Sequence, residues 1–182
     1  MMENTTPDVS AAAAAARATR LRRAAARIRL HAGHLTYHPT TDRRPHPGPK
    51  LLAAVAEVEQ VVNDVQQGTE ERAREEFAAS AAAGGAQVEA LHRGHAAVDR
   101  GTQVVLAALD VLRGVLGDGG EGAGATIDAP YGSSAPSRHH PGALCTIVAE
   151  RVEGLARALE VAAIVKANLD RAGRTEAAGT RR

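Results

Sequence analysis

The fold class of this chain is decided by residues 86–117, which read AQVEALHRGHAAVDRGTQVVLAALDVLRGVLG. Apolar residues recur in this stretch at alternating intervals of three and four residues, and one histidine and one threonine fall in the same series. The series consists of Val88, Leu91, His95, Val98, Thr102, Val105, Leu109, Leu112 and Leu116. Because an α-helix has about 3.6 residues per turn, this spacing places the whole series on one narrow face. The stretch therefore predicts a long helix that is buried along one side.

Similar spacing outside this stretch predicts further helices over 10–34, from Pro49 to Gly68, from Thr69 to the glycine pair at 84–85, and from Pro141 to about 172. Proline suits the first position of a helix because the N–H that it lacks would have no partner there. Thr69 precedes two glutamates and is predicted to cap the third helix. The glycine pair either ends the third helix or only bends it, so we expect four or five helices.

Long helices with narrow apolar stripes and short connections predict an all-α, up-and-down bundle of four to five helices. Aromatic residues make up only 2% of the chain, which argues against β-sandwiches, β-barrels and modules that stack nucleobases on aromatic rings. Alanine and valine side chains bury little apolar area each, so we expect a homodimer that completes the core. Ile147, Val161 and Ile164 lie beside the stripe of the last helix, which predicts burial on more than one side.

Residues 10–172 are predicted to form a single domain between a flexible N-terminus, 1–9, and a flexible tail, 173–182. The Gly-, Ser- and Pro-rich stretch 117–138 predicts a mobile loop before the last helix, suited to act as a lid. No apolar run approaches 18 residues and no secretory signal is recognisable, so we expect a cytoplasmic protein without a membrane-spanning helix. Many alanines and arginines with only two lysines suggest a bacterium with a GC-rich genome.

The net charge of +1 conceals an uneven distribution of charge along the chain. Residues 1–50 carry nine Lys and Arg against three Asp and Glu, whereas residues 51–80 carry two against seven. The arginines of the first helix are therefore predicted to pair with the acidic residues Glu70, Glu71, Glu75 and Glu76. A competing interpretation is that this basic helix contacts an acidic partner. Nucleic acid is the less favoured partner, because GC-rich coding already explains the excess of arginine.

Histidines grouped by the helical period are the candidate site. His92, His95 and Asp99 share one face of the fourth helix at spacings of three and four residues, with Thr102 and Gln103 close to that face. Two imidazoles and a carboxylate can bind one divalent transition metal ion, or the imidazoles can act as acid and base. His31 and His34 form a second group on the first helix, which could converge with the first. Tyr37, in the following connection, is a candidate ligand contact.

Simpler interpretations compete with each of these assignments. His95 occupies a core position of its heptad and could be a hydrogen-bonded histidine that fixes the helix register. Glu89 and His92 match half of a carboxylate-bridged di-iron signature, but a second Glu-x-x-His does not occur in the chain. Cys145 lies on the stripe of the last helix, which favours a buried and unreactive thiol.

Two functions follow from this sequence. The first is a small bundle that binds a small molecule or a metal in a histidine-rich cavity between helices. In this interpretation His92, His95 and Asp99 carry any chemistry, and the protein could be an enzyme of bacterial specialised metabolism. The second is a non-catalytic, oligomeric scaffold or regulator whose arginine-rich first helix binds a partner. The sequence leaves open whether the protein is an enzyme.

Overall fold

The structure of the chain, a computed structural model, describes residues 9–35, 49–82, 85–117 and 141–179. These residues form five helices: α1 (Val9–Leu35), α2 (Pro49–Gln67), α3 (Thr69–Ala82), α4 (Gly85–Gly117) and α5 (Pro141–Gly179). Gly68 is the one described residue outside a helix, and none of the described residues lies in a strand. The all-α prediction is confirmed. None of the described helices has the length and apolar character needed to cross a membrane.

The helices pack as an up-and-down bundle with four columns. Arg22 and Arg29 of α1 pair with Glu160 and Glu153 of α5, so residue numbers rise along one helix as they fall along the other. Contacts of α1 with α2, and of α4 with α5, follow the same antiparallel order. α2 and α3 run in the same direction and together form one column. The predicted count of four to five helices is therefore met by five helices in four columns.

A single hydrophobic core lies between α1, α2, α4 and α5 and follows the predicted stripes. Its largest fully buried side chains come from all four helices: Leu21, Ile28, Leu51, Leu109, Leu112, Leu144, Leu155, Val58, Val61, Val62, Val65 and Val98. α5 departs from prediction, because Val161 and Ile164 are 54% and 61% exposed. The stripe of α5 is buried mainly against α1 and α4. The expectation that Val161 and Ile164 widen its buried face is therefore wrong.

α2 and α3 are separated by one turn residue, Gly68. The Gly68 N–H donates to the Asp64 carbonyl at 3.3 Å and the Arg72 N–H donates to the Gly68 carbonyl at 3.1 Å, so backbone hydrogen bonding continues across this junction. The Thr69 hydroxyl donates back to the Gln66 carbonyl at 2.7 Å. The predicted cap at Thr69 is therefore wrong, since its hydroxyl bonds to the preceding turn. No described residue of α3 belongs to the hydrophobic core, in contrast to α2 in the same column.

The predicted boundaries lie mostly outside the described residues. This is the case for residues 1–8, for 118–138 of the predicted loop, and for 180–182 of the predicted tail. α5 continues as a helix to Gly179, beyond the predicted domain end at 172.

Candidate functional site

A cavity of about 550 Å³ lies beside the junction of α2 and α3. It is bounded by the first turns of α1, by Gly68 and α3, by the middle of α4 and by residues 159–170 of α5. Its wall is largely alanine, valine and leucine, with a charged or titratable side chain on every helix but α2. These polar lining residues are Arg17, Glu71, Arg72, Glu75, His95, Lys166 and Asp170. The cleft therefore combines an apolar surface with polar groups that come from different helices.

His95 is the buried polar residue of this cleft. Its heptad position turns it towards the core, and only 6% of the residue is exposed. Its Nδ1 lies 2.7 Å from Glu76 Oε1, which is a hydrogen bond between α4 and α3. Its Nε2 lies 3.9 Å from Glu75 Oε2, beyond hydrogen-bond length. The carboxylate at Nδ1 favours the tautomer with a proton on that nitrogen, which leaves Nε2 as the acceptor available to a ligand.

Glu76 also binds the second histidine of the predicted group. Its Oε2 lies 2.7 Å from His92 Nδ1, so each carboxylate oxygen contacts one imidazole. His92 is 53% exposed at its side chain, whereas Glu76 is 23% exposed. The helical period thus correctly placed His92 beside His95. The residue that joins them comes from α3, and sequence reasoning missed it because the acidic run was assigned to α1.

Asp99 turns away from the histidines to Arg72 of α3. The distance from Arg72 Nη2 to Asp99 Oδ1 is 2.6 Å, and Arg72 Nη1 also donates to the Val65 carbonyl at 2.8 Å. Arg72 Nε is buried and has no hydrogen-bond partner among the described residues. The arginine therefore ties the first turn of α3 to α2 and α4.

The predicted metal ligands are not brought together around a common point. Glu76 contacts His92 and His95 directly, which leaves no space for an ion between them, and Asp99 is engaged by Arg72. Across the described helices, no group of three or more His, Cys, Asp or Glu side chains is placed to hold a metal ion.

A second ion pair separates the cleft from a smaller cavity. Lys166 Nζ of α5 bonds to Glu75 Oε1, and both side chains are about four-fifths buried, with 20% and 22% exposed. The smaller cavity, of about 270 Å³, is lined by Glu75, Lys166 and Asp170 together with Ala78, Ala79, Leu91 and Leu169. Because the two cavities share the ion pair, the pair forms the partition between them.

The other predicted site residues lie elsewhere. Thr102 is buried, and its hydroxyl donates to the Val98 carbonyl of its own helix at 2.8 Å, while Gln103 is exposed. Neither belongs to the described lining of the cleft. On α1 the cleft ends at Arg17, and His31 follows 14 residues later, about 21 Å along the helix axis. His31 therefore does not join His95.

Two of the predicted contacts lie outside the described residues or side chains. Tyr37 falls in a range that the structure does not describe, and for His34 only the backbone of α1 is described. The lid predicted at 117–138 likewise lies outside the described part, apart from Gly117 at the end of α4.

The arginines of α1 pair with acids other than the four predicted. Arg20 and Arg27 lie against Glu57 of α2, and Arg22 and Arg29 pair with α5. The prediction that α1 pairs with Glu70 to Glu76 is wrong, because Glu75 pairs with α5, Glu76 with α4 and Glu70 with Arg74 of its own helix. The first helix does face part of the acidic region, at Glu57.

Cys145 is fully buried, as the simpler interpretation predicted. Burial raises the pKa of the Cys145 thiol to about 11, because the surrounding core cannot solvate a thiolate. Cys145 packs in the hydrophobic core and does not belong to the described lining of the cleft.

Comparison with known proteins adds no relative to this picture. No family model, no curated protein and no solved structure matches the chain.

Proposed function

We propose that the protein binds a small molecule in the cleft beside His95, with Nε2 of this histidine as its central polar contact. The observation that carries the proposal is a buried imidazole that a carboxylate holds at one nitrogen while the other lies at a cavity. Nε2 of His95 lies 3.9 Å from Glu75 Oε2, beyond hydrogen-bond length, and can accept a hydrogen bond from a donor on a ligand in the cleft.

The dimensions and lining of the cleft define the class of ligand. Its volume of about 550 Å³ lies within the range of about 300–1,000 Å³ that is typical of small-molecule sites. Alanines of α1 and α5, with Val98 and Leu159, offer an apolar surface to the body of the ligand. Arg17 lines the same cleft and has no ionic partner among the described residues. A compact molecule with an apolar body and at least one hydrogen-bonding group fits these walls.

The pair of His95 and Glu76 also supports proton transfer. A carboxylate at Nδ1 orients the ring and stabilises the imidazolium that forms when Nε2 accepts a proton. An enzymatic form of this proposal uses His95 as general base and then as general acid towards the bound molecule. This is a metal-free form of the site, because Glu76 already contacts Nδ1 of both histidines.

The scaffold alternative has less support from the contacts. Arg20, Arg22, Arg27 and Arg29 all have acidic partners within the chain. The arginine-rich helix is therefore already used to hold the bundle together. Homodimerisation stays a prediction from the sequence, which sedimentation of the purified protein would test.

Blocking the cleft tests the proposal. The probe is 8-anilinonaphthalene-1-sulfonate, an apolar anion whose fluorescence rises on leaving water, titrated into the folded protein. Ala14 lines the cleft, whereas Ala12 is an exposed neighbour on the same helix outside the lining. We expect Ala14→Phe to weaken binding at least tenfold and Ala12→Phe to leave it unchanged.

A direct test of His95 uses the same titration. His95→Leu should weaken binding several-fold, because the variant lacks an acceptor at the position of Nε2. Each variant is first shown to unfold cooperatively in urea, since loosely packed proteins bind the probe without a site. Equal affinity in all variants would place the probe elsewhere and count against the proposed site.

A further inference from the structure

We infer that α3 is a removable cover of the cleft, latched by Glu76 between His92 and His95, and that it opens by undocking and unfolding. The inference rests on the proposed function, and it names how a ligand reaches the site. α3 contributes Glu71, Arg72 and Glu75 to the cleft wall, so its removal opens one side of the cavity. The same movement takes Glu76 away from His95.

α3 has no apolar anchor in the bundle. None of its described residues is fully buried, and none of them belongs to the hydrophobic core. Its single aromatic residue, Phe77, is 80% exposed. By contrast α2, in the same column, buries seven residues. Because apolar burial supplies most of the docking free energy of a helix, α3 is held far less firmly than α2.

Charged side chains tie α3 to its neighbours instead. Glu76 binds both histidines of α4, Glu75 binds Lys166 of α5, and Arg72 binds Asp99 of α4. The pairs of Glu75 with Lys166 and of Arg72 with Asp99 are partly exposed ion pairs, which stabilise a docked helix only modestly and are weakened by salt. The contacts of Glu76 are hydrogen bonds to the two imidazoles. The closed state is therefore separated from an open state by a small free energy. The least exposed of these contacts is that of Glu76 with His95, whose side chain is 8% exposed.

Undocking of α3 is coupled to its unfolding. The helix has 14 residues, and an isolated helix of that length is marginal in water. Once its side chains leave α4 and α5, little holds its backbone hydrogen bonds. Amide hydrogen exchange in α3 therefore reports the opening directly, because exchange requires those hydrogen bonds to break.

Closure assembles the site as well as covering it. When α3 is docked, Glu76 fixes the orientation and tautomer of His95. When α3 is open, Nδ1 of His95 loses its partner, and the imidazole faces solvent. A ligand that enters the open cleft and contacts His95 is therefore bound most strongly after α3 closes over it.

Hydrogen–deuterium exchange of the full chain without ligand, followed peptide by peptide, tests this inference. Exchange in Thr69–Ala82 should be at least tenfold faster than in the central turns of α2 and α4. Glu76→Gln removes the latch charge at equal size and should speed exchange in α3 about tenfold further, with α2 and α4 unchanged. Arg74→Gln is the control, because the one ion pair that Arg74 forms within the described helices is with Glu70 of α3 itself. It should alter exchange less than about twofold.

Two measurements on the unaltered protein complete the test. Raising the salt concentration to 1 M should accelerate exchange in α3 but not in α2. The same rise in salt concentration should accelerate carbethoxylation of His95 by diethyl pyrocarbonate, by the factor by which it accelerates exchange in α3. His31 of α1 serves as the internal reference.

Several outcomes would overturn the inference. They are protection of α3 equal to that of α2 and α4, an effect of Glu76→Gln no larger than that of Arg74→Gln, or insensitivity to salt. These measurements use no ligand, so they test the movement of α3 independently of binding. A failed probe titration would contradict the proposed function without contradicting the movement of α3.

Discussion

Replacing Gly101 by alanine tests how closely α4 and α5 pack behind the cleft. A Cβ at this position would lie 3.2 Å from Leu155 Cδ1 and 3.4 Å from Leu155 Cα. Leu155 is fully buried, so its side chain has little room to withdraw. Gly154, in the middle of α5, is the matched control, because a Cβ there meets nothing within 4 Å.

The magnitudes follow from two opposing effects. Alanine in place of glycine inside a helix stabilises the folded state by about 1 kcal/mol. Overpacking a filled core costs about 1–3 kcal/mol. Gly154→Ala should therefore stabilise the protein by about 1 kcal/mol, since only the first effect operates. Gly101→Ala combines both, so we expect a net destabilisation of about 1 kcal/mol and a difference of about 2 kcal/mol between the variants.

Equilibrium unfolding in urea, followed by circular dichroism at 222 nm, measures both variants against the unaltered protein. The dependence of the free energy of unfolding on urea concentration should be the same for all three, so that the midpoints compare directly. A third variant, Gly94→Ala, should fall between the others, because its nearest contact is Ala162 Cα at 3.4 Å. If Gly101→Ala stabilised the protein as much as Gly154→Ala, the close approach of α4 and α5 would be refuted.

Three further perturbations address single side chains. Cys145 should react with iodoacetamide at pH 8 at least about a hundredfold more slowly in the folded than in the urea-unfolded protein, as measured by mass spectrometry, because burial raises the pKa of its thiol to about 11. The hydrogen bond from Arg29 lowers the pKa of Glu153, so this carboxylate stabilises the folded state above its unfolded pKa and ceases to do so as the pH falls through its folded pKa. Glu153→Gln should accordingly reduce the loss of stability below about pH 5, and an unchanged urea midpoint profile from pH 7 to 3 would contradict this. Thr102→Val should change the free energy of unfolding by less than about 1 kcal/mol, because the Thr102 hydroxyl donates to the Val98 carbonyl of its own helix. Binding of the fluorescent probe should be unchanged. A large loss of affinity would show that Thr102 contacts the probe.

The bundle itself was accessible from the sequence, because helix faces depend on local spacing. The series from Val88 to Leu116 predicted α4, and the described members of that series are buried or half-buried. Val161 and Ile164 show what residue spacing does not predict. They are apolar and lie beside a core stripe, yet the number of neighbouring helices decides whether such a position is covered.

The site could be predicted only in part from the sequence, because its described contacts join different helices. His92 and His95 were paired correctly, since both lie on one helix three residues apart. Asp99 lies on nearly the same face, but Arg72 of another helix competes for its carboxylate. Glu76 could have been found from the acidic doublet at 75–76, had the direction of α3 been known.

The sequence by itself determined the helices, their buried faces and the pair of histidines on α4, because each depends on intervals of three or four residues within one helix. Only the tertiary structure decided which carboxylate meets those histidines and which helices enclose the cleft. The physical reason is that these contacts join separate helices. Glu75 and Glu76 of α3 meet Lys166 of α5 and His92 and His95 of α4, and residue spacing within one helix does not determine which helices are neighbours.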